Sequence, residues 1–185
     1  MIELFDFNIE KILTVFAISP GSRWNRKIIK EKTRIPNVVL DKYLAKLLNL
    51  GFLIKEKNLF SLNFKNVELK PVIEKISENY LRFKQLPLRE YFIIRDITKK
   101  LSEIRNTLDV YLFGSYAKLI FKKESDIDIA IVSDVVDKRK IGETIRKLEK
   151  EYKKNIEAHF FTKKFYNNRR DPLVKDILQH GIKLI

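Results

Sequence analysis

The apolar positions of this chain change period part-way along, which separates a mostly helical first part from a second part where strands alternate with helices. Ile9, Ile12, Leu13, Phe16 and Ala17 recur at helical spacing and predict a helix capped by Asn8 and stopped by Ser19-Pro20-Gly21. Residues 25–34 predict a shorter helix with Ile28 and Ile29 inward. After the Ile35-Pro36-Asn37 turn, Asn37 would cap a third helix carrying Leu40, Leu44, Leu47 and Leu48 on one face, with Gly51 closing it. Residues 52–58 and 59–63 read as two strands around a turn. The helical period returns over 69–84 (Val72, Ile73, Ile76, Tyr80, Phe83, with Pro71 near the start). It returns again over 88–106 (Tyr91, Ile94, Ile97, Leu101, Ile104), Leu86-Pro87 breaking the chain between the two.

Beyond residue 109 the apolar runs shorten. Val110 to Phe113 predicts a buried strand, and Ile127, Ile129 and Ile131 alternate as the inward positions of a second. Ile141, Ile145, Leu148 and Tyr152 mark an amphipathic helix over 138–154, whose lysines predict a solvated face. A strand over 155–161 follows. Asp171-Pro172 opens a last helix as cap and first residue, Gly181 ends it, and 182–185 predict a short edge strand.

The chemistry concentrates where two of these strands face each other in sequence. Gly114-Ser115 ends the first strand and turns into a short helix predicted from Tyr116, and Asp126-Ile127-Asp128 opens the second. Alternation points Asp126 and Asp128 to one side of the strand while the isoleucines point to the other. Like charges held side by side repel unless a cation lies between them, and hard divalent cations take such oxygens together with substrate phosphates. In the later strand Glu157 and His159 share a face, with Ile156, Ala158 and Phe160 opposite.

Gly-Ser, an interval of about ten residues, then Asp-hydrophobic-Asp on the next strand resembles the nucleotidyltransferase superfamily of the polymerase beta-like, minimal nucleotidyltransferase type, over roughly residues 88 to 185. Two positions depart from the family pattern: Leu119 stands where the family often has Gly, and Glu157 where many members have Asp. The resemblance implies transfer of a nucleoside monophosphate from a nucleoside triphosphate, ATP first among the donors, to an acceptor hydroxyl, with loss of pyrophosphate. It implies two Mg²⁺ ions, Mn²⁺ being an alternative, held by Asp126, Asp128 and Glu157 as the catalytic and metal-ligating carboxylates. Gly114, Ser115 and Lys118 would bind the nucleotide, Gly114 because a residue without Cβ lets the triphosphate approach the backbone. Lys122 and Lys123 are further candidates for the pyrophosphate. The acceptor is left open and includes a side chain of a partner protein. Asn167-Asn168-Arg169-Arg170 reads as a basic loop, open to an acceptor or triphosphate contact or to a plain surface role.

The first part, as helix, helix, turn, helix, hairpin, resembles a winged helix-turn-helix domain over about residues 5 to 65. That implies DNA contact by Asn37, Val38, Lys42 and Lys46 on the third helix and by Lys55, Lys57 and Asn58 at the wing tip, with Arg23, Arg26 and Lys27 on phosphates. Asp41 in the third helix opposes this by repelling phosphate. The expected organisation is α+β: a winged helix-turn-helix domain (1–67), a linker helix (68–87) and a nucleotidyltransferase fold with a small mixed sheet (88–185).

Composition adjusts this picture at three points. A net charge of +14 over 185 residues draws polyanions such as nucleic acid, nucleotide or an acidic protein. The absence of Cys removes disulfides and thiolate-bound metal, and abundant Lys and Glu beside a single Met fit a thermophile. Charges interrupt every long apolar run, so no membrane span is expected, and the acids near Met1 do not suit a signal peptide. A cytoplasmic protein is expected, its oligomeric state open with a dimer among the options. The alternative function is a DNA-binding transcriptional regulator whose second half only senses nucleotide or is inactive.

Overall fold

A computed structural model describes residues 6–83, 86–104 and 108–185. Its contacts divide the chain into two units, at Phe92/Ile93. The predicted helix ends at Lys84 and Asn106 lie outside the described residues.

In the first unit the order is α1 (Phe7–Ala17), β1 (Trp24–Asn25), α2 (Arg26–Thr33), α3 (Asn37–Asn49), β2 (Leu53–Glu56), β3 (Leu59–Leu62) and α4 (Leu69–Arg82). Asp6, and not Asn8, caps α1: its carboxylate accepts from the Asn8 amide and also from the Tyr43 hydroxyl. Asn25 caps α2 as a β-region residue whose side chain accepts from the Ile28 amide. Pro36 takes the capping position of α3, so Asn37 is its first helical residue. Gly51 closes α3 at φ 66°, a left-handed position in which glycine avoids the Cβ clash of other residues. The Asn63 and Asn66 amides donate to the Gly51 carbonyl and fix that exit.

The three strands form an antiparallel sheet in the order β1-β3-β2. One core unites Ile9, Ile12, Leu13 and Phe16 of α1 with Ile29, Leu40, Leu44 and Leu47, the strand residues Phe60 and Leu62, and Leu69, Val72 and Ile76 of α4. Each such side chain stabilises the fold by roughly 1.5–3 kcal/mol when fully buried. The helix expected as a linker thus contributes to the core of the first unit.

The second unit takes up α5 (Leu88–Ile104) from Ile93 onward, then β4 (Asp109–Phe113), α6 (Gly114–Ala117), β5 (Ile127–Val132), α7 (Lys138–Tyr152), β6 (Ile156–Phe161), a 3-10 turn (Lys163–Asn167), α8 (Pro172–His180) and β7 (Ile182–Lys183). The sheet runs β6-β5-β4-β7, with β5 and β6 parallel and the other two pairs antiparallel. It is a small mixed sheet, as expected of the nucleotidyltransferase fold. Asp171 caps α8 through the Leu173 and Val174 amides, with Pro172 at the first position, as its sequence implies.

On one face of β5 Ile127, Ile129 and Ile131 are fully buried. On the other, Ala130 and Val132 pack with Phe113, Phe165, Val174 and Ile177, so α8 and the 3-10 turn cover that face. Asp128 is the polar exception in a strand otherwise buried on both sides. No described helix is long and apolar enough to cross a membrane.

Candidate functional site

Gly114 sits at the hinge of the site. It follows β4 directly and begins α6, two residues earlier than the pattern predicts. Its φ is 67°, which β-carbon-bearing residues rarely adopt. A Cβ built there would also overlap the Asp128 carboxylate. Two constraints, one conformational and one steric, therefore demand glycine at this position.

The opposing strand brings the acids together by register. Phe113 pairs with Asp128 across β4 and β5, and Asp128 pairs with Glu157 across β5 and β6. Asp128 and Glu157, 29 positions apart, become strand neighbours, and Glu157 reaches the aspartate from a later strand as its alternation predicts. Asp126 lies exposed just before β5, two residues from Asp128 and on the same side by alternation. Burial pushes the Asp128 carboxyl above its ordinary value, and the neighbouring Glu157 and Asp126 carboxylates push it further, while His159 works against them.

His159 was left by its sequence as a residue sharing a face with Glu157. In the structure its Nε2 lies 3.0 Å from the Glu157 Oε1, and its ring meets Phe113 edge-on at 5.3 Å. The imidazole therefore orients the glutamate from a position two residues along the same strand.

Asp126, Asp128 and Glu157 are hard oxygen donors, and the crowding of negative charge around half-buried Asp128 is of the kind a divalent cation relieves. Among the described residues no three His, Cys, Asp or Glu side chains are gathered closely enough to hold one ion. The donor chemistry suits a divalent cation, for which Asp128 and its neighbours Asp126 and Glu157 would be the ligands.

Lys118 caps the C-terminus of α6, and its ammonium pairs with Asp176 of α8 at 2.7 Å. Ser115 is half-buried on α6, and its carbonyl accepts from the Ile120 amide. The loop between the glycine turn and the aspartates is anchored by a residue the sequence hides. Lys154 lies just past the end of α7 and is 9% exposed, an exception to the solvated lysine face expected over 138–154. Its ammonium donates to the Lys123 carbonyl at 2.8 Å and lies 5.4 Å from the Tyr116 ring centre. Tyr116 in turn stacks on Phe121 at 4.4 Å. Within the loop, the Lys122 amide donates to the Ser125 hydroxyl at 2.8 Å. Leu119 has φ 59° and is 45% exposed. An exposed leucine in this region carries strain that glycine would not.

The family model of the nucleotidyltransferase domain matches residues 94–184. A crystal structure of a toxin-antitoxin with AMP-PNP aligns at 26% identity over 50% of this chain and 72% of the other, with a TM-score of 0.38. A crystal structure of a mutant of the toxin-antitoxin MntA-HpeT aligns at 24% identity over the same shares, with the same TM-score of 0.38. No curated protein matches the sequence significantly.

Proposed function

We propose, from the nucleotidyltransferase domain matched over residues 94–184, that the second unit transfers a nucleoside monophosphate from a nucleoside triphosphate, ATP first among them, to an acceptor hydroxyl. The observation that carries this reading is the contact of a left-handed glycine with a buried-side aspartate whose strand neighbour is a second acid. A fold gains nothing from that crowding; a site that binds charged phosphate and cation does.

In this reading the acceptor oxygen bonds the α-phosphorus, the bond to the bridging oxygen breaks, and pyrophosphate leaves. Glu157, oriented by His159, takes the hydroxyl proton. Asp126 and Asp128 would hold the cations, Mg²⁺ or Mn²⁺, which when bound would supply charge stabilisation to the phosphate oxygens. Gly114 leaves the backbone open to the phosphates, and Ser115 offers a hydroxyl beside it. Lys118 must exchange its Asp176 partner to reach a phosphate, so its part depends on release of that pair.

The test is incubation of the full chain with labelled ATP, Mg²⁺ and cell extract. Label should move to an acceptor, and Asp126→Ala/Asp128→Ala should reduce transfer by about a thousandfold. Unchanged transfer by the double variant would remove the carboxylates from the reaction.

A second reading concerns the first unit, and two observations favour it. The order α1-β1-α2-α3-β2-β3 with one three-stranded antiparallel sheet has the sequence of elements of a winged helix. Asn37, Val38, Lys42 and Lys46 on α3 and Lys55, Lys57 and Asn58 on the hairpin are all exposed, Val38 at 83% although apolar. An exposed valine at the start of a helix fits contact with a thymine methyl group. Asp41, which would repel phosphate, is neutralised by bidentate bonds from Arg26 at 2.5 and 2.8 Å. Arg26 is thereby committed to Asp41 and not to a phosphate. This reading makes the chain a DNA-binding protein, and with an idle second unit, a nucleotide-sensing regulator. DNA affinity should fall steeply across a salt series; a slope near zero excludes it.

A further inference from the structure

We infer that the second unit carries a separate nucleotide-sized site, between the 3-10 turn and α8, that takes a nucleoside phosphate without a metal ion. A cavity of about 510 Å³ is lined by Tyr166, Arg169, Lys175, Leu178 and Gln179. That volume lies within the span of small-molecule sites and far exceeds what an inorganic anion fills.

The lining comes from the 3-10 turn, the segment after it and one side of α8. Lys175, Leu178 and Gln179 fall at helical spacing on one side of α8, while Val174 and Ile177 on the other side pack into the sheet core. Tyr166 is fixed as a wall: its hydroxyl donates to the Asp109 carboxylate at 2.7 Å and meets the Tyr111 hydroxyl at 3.2 Å. Asp109 is held in turn by the Lys183 ammonium at 2.6 Å. Burial, then these two bonds, push the Tyr166 phenol far above its ordinary value, so it stays neutral.

The chemistry of the lining selects the ligand. Among the described residues neither Arg169 nor Lys175 enters an ion pair, unlike Lys118 on the neighbouring turn. A guanidinium binds phosphate oxygens by two parallel bonds, and the ammonium adds a second charge. Tyr166 and Leu178 offer an aromatic and an aliphatic surface for a base, and the Gln179 amide carries a donor and an acceptor for its edge. A phosphate joined to a flat, partly apolar ring satisfies all five residues. Tyr166 is tied to Asp109, the first residue of β4, whereas Gly114 follows the last; the strand between spans roughly 13 Å. The inference does not rest on the transfer reaction.

Equilibrium dialysis of the full chain with labelled AMP in EDTA tests it. Saturable binding is expected, weakened about tenfold or more by Arg169→Ala/Lys175→Ala and unchanged by Asp126→Ala/Asp128→Ala. Adenosine and inorganic phosphate should each compete at least about tenfold less well than AMP, since each satisfies only part of the lining. Both double variants change half-buried or exposed side chains, and a melting curve like that of the parent chain establishes their fold. The inference is overturned by absence of saturable binding, by equal binding to Arg169→Ala/Lys175→Ala, or by loss of binding in the carboxylate variant. It is also overturned if inorganic phosphate competes as well as AMP, which marks a plain anion site.

Discussion

The two units treat charge in opposite ways. In the first, Asp41 faces Arg26 across two bonds and Glu56 faces Arg23 at 2.9 Å, both pairs exposed. Among the described residues, the two charged side chains buried there, Glu10 and Lys11 of α1, are of opposite sign. In the second, Asp128 is inserted into a strand buried on both faces, beside Glu157 and against the backbone of a left-handed glycine. Exposed pairs cost little and contribute little. A half-buried acid beside another acid costs stability, and a fold keeps it only where a ligand or cation returns the difference. The contrast points to chemistry in the second unit, where the nucleotidyltransferase domain matches.

The comparison can be broken or sharpened by substitution, the largest effects coming first. Leu47→Ala, in the core of the first unit, should destabilise by about 2–5 kcal/mol in chemical denaturation. A cost under about 1 kcal/mol would mean that the cluster is not tightly packed. Gly114→Ala should destabilise by roughly 2 kcal/mol, because it adds both the left-handed strain and a collision with Asp128, and should lower label transfer about a hundredfold. A neutral outcome on both measurements contradicts the described hinge. Leu119→Gly should act in the other direction and stabilise by about 1 kcal/mol, since glycine is at home at φ 59°.

A pH series on Asp128→Asn sharpens the contrast further. The Asp128 carboxyl titrates above its ordinary value in the folded chain, from burial first and from Glu157 and Asp126 next. Between the ordinary and the raised value the folded state keeps a proton the unfolded state has released, so stability falls as pH rises through that window. The asparagine variant lacks this loss. Its melting temperature should gain on that of the metal-free parent as pH rises from about 4, then hold level. A gap that does not change with pH refutes the assigned strain. Last and smallest, Arg26→Ala should leave denaturation curves unchanged within error, since the Arg26–Asp41 pair is solvent-exposed; on the proposed DNA-binding reading, an uncovered Asp41 should weaken DNA affinity.

Much of this was legible from residue order, and the reasons are local. The strand carrying Asp128 follows from three isoleucines at every second position, and Glu157 meets Asp128 because alternation and parallel register bring like positions level. Gly51 and Asp171-Pro172 announced their helix ends through backbone preferences alone. What escaped depends on partners distant in sequence. β1 is two residues long and exists only through pairing with β3. Asp6 displaced Asn8 as the cap of α1, both being suited to the position by type, and Pro36, which makes no side-chain capping bond, stands in the position before Asn37 at α3. The pairing of Lys118 with Asp176 and the anchoring of Tyr166 by Asp109 join segments more than 50 residues apart, beyond any periodicity. Lys154 reads as one solvated lysine among many until its ammonium is found under the Tyr116 ring.

The central claim is that the acids around Gly114 hold a cation together with a triphosphate. Its most direct test is a Mn²⁺ titration followed by electron paramagnetic resonance, with a non-hydrolysable ATP analogue present. The parent chain should capture Mn²⁺ only when the analogue is added, and Asp126→Asn/Asp128→Asn should release it. Equal Mn²⁺ capture by both proteins, or none by either, would contradict the account.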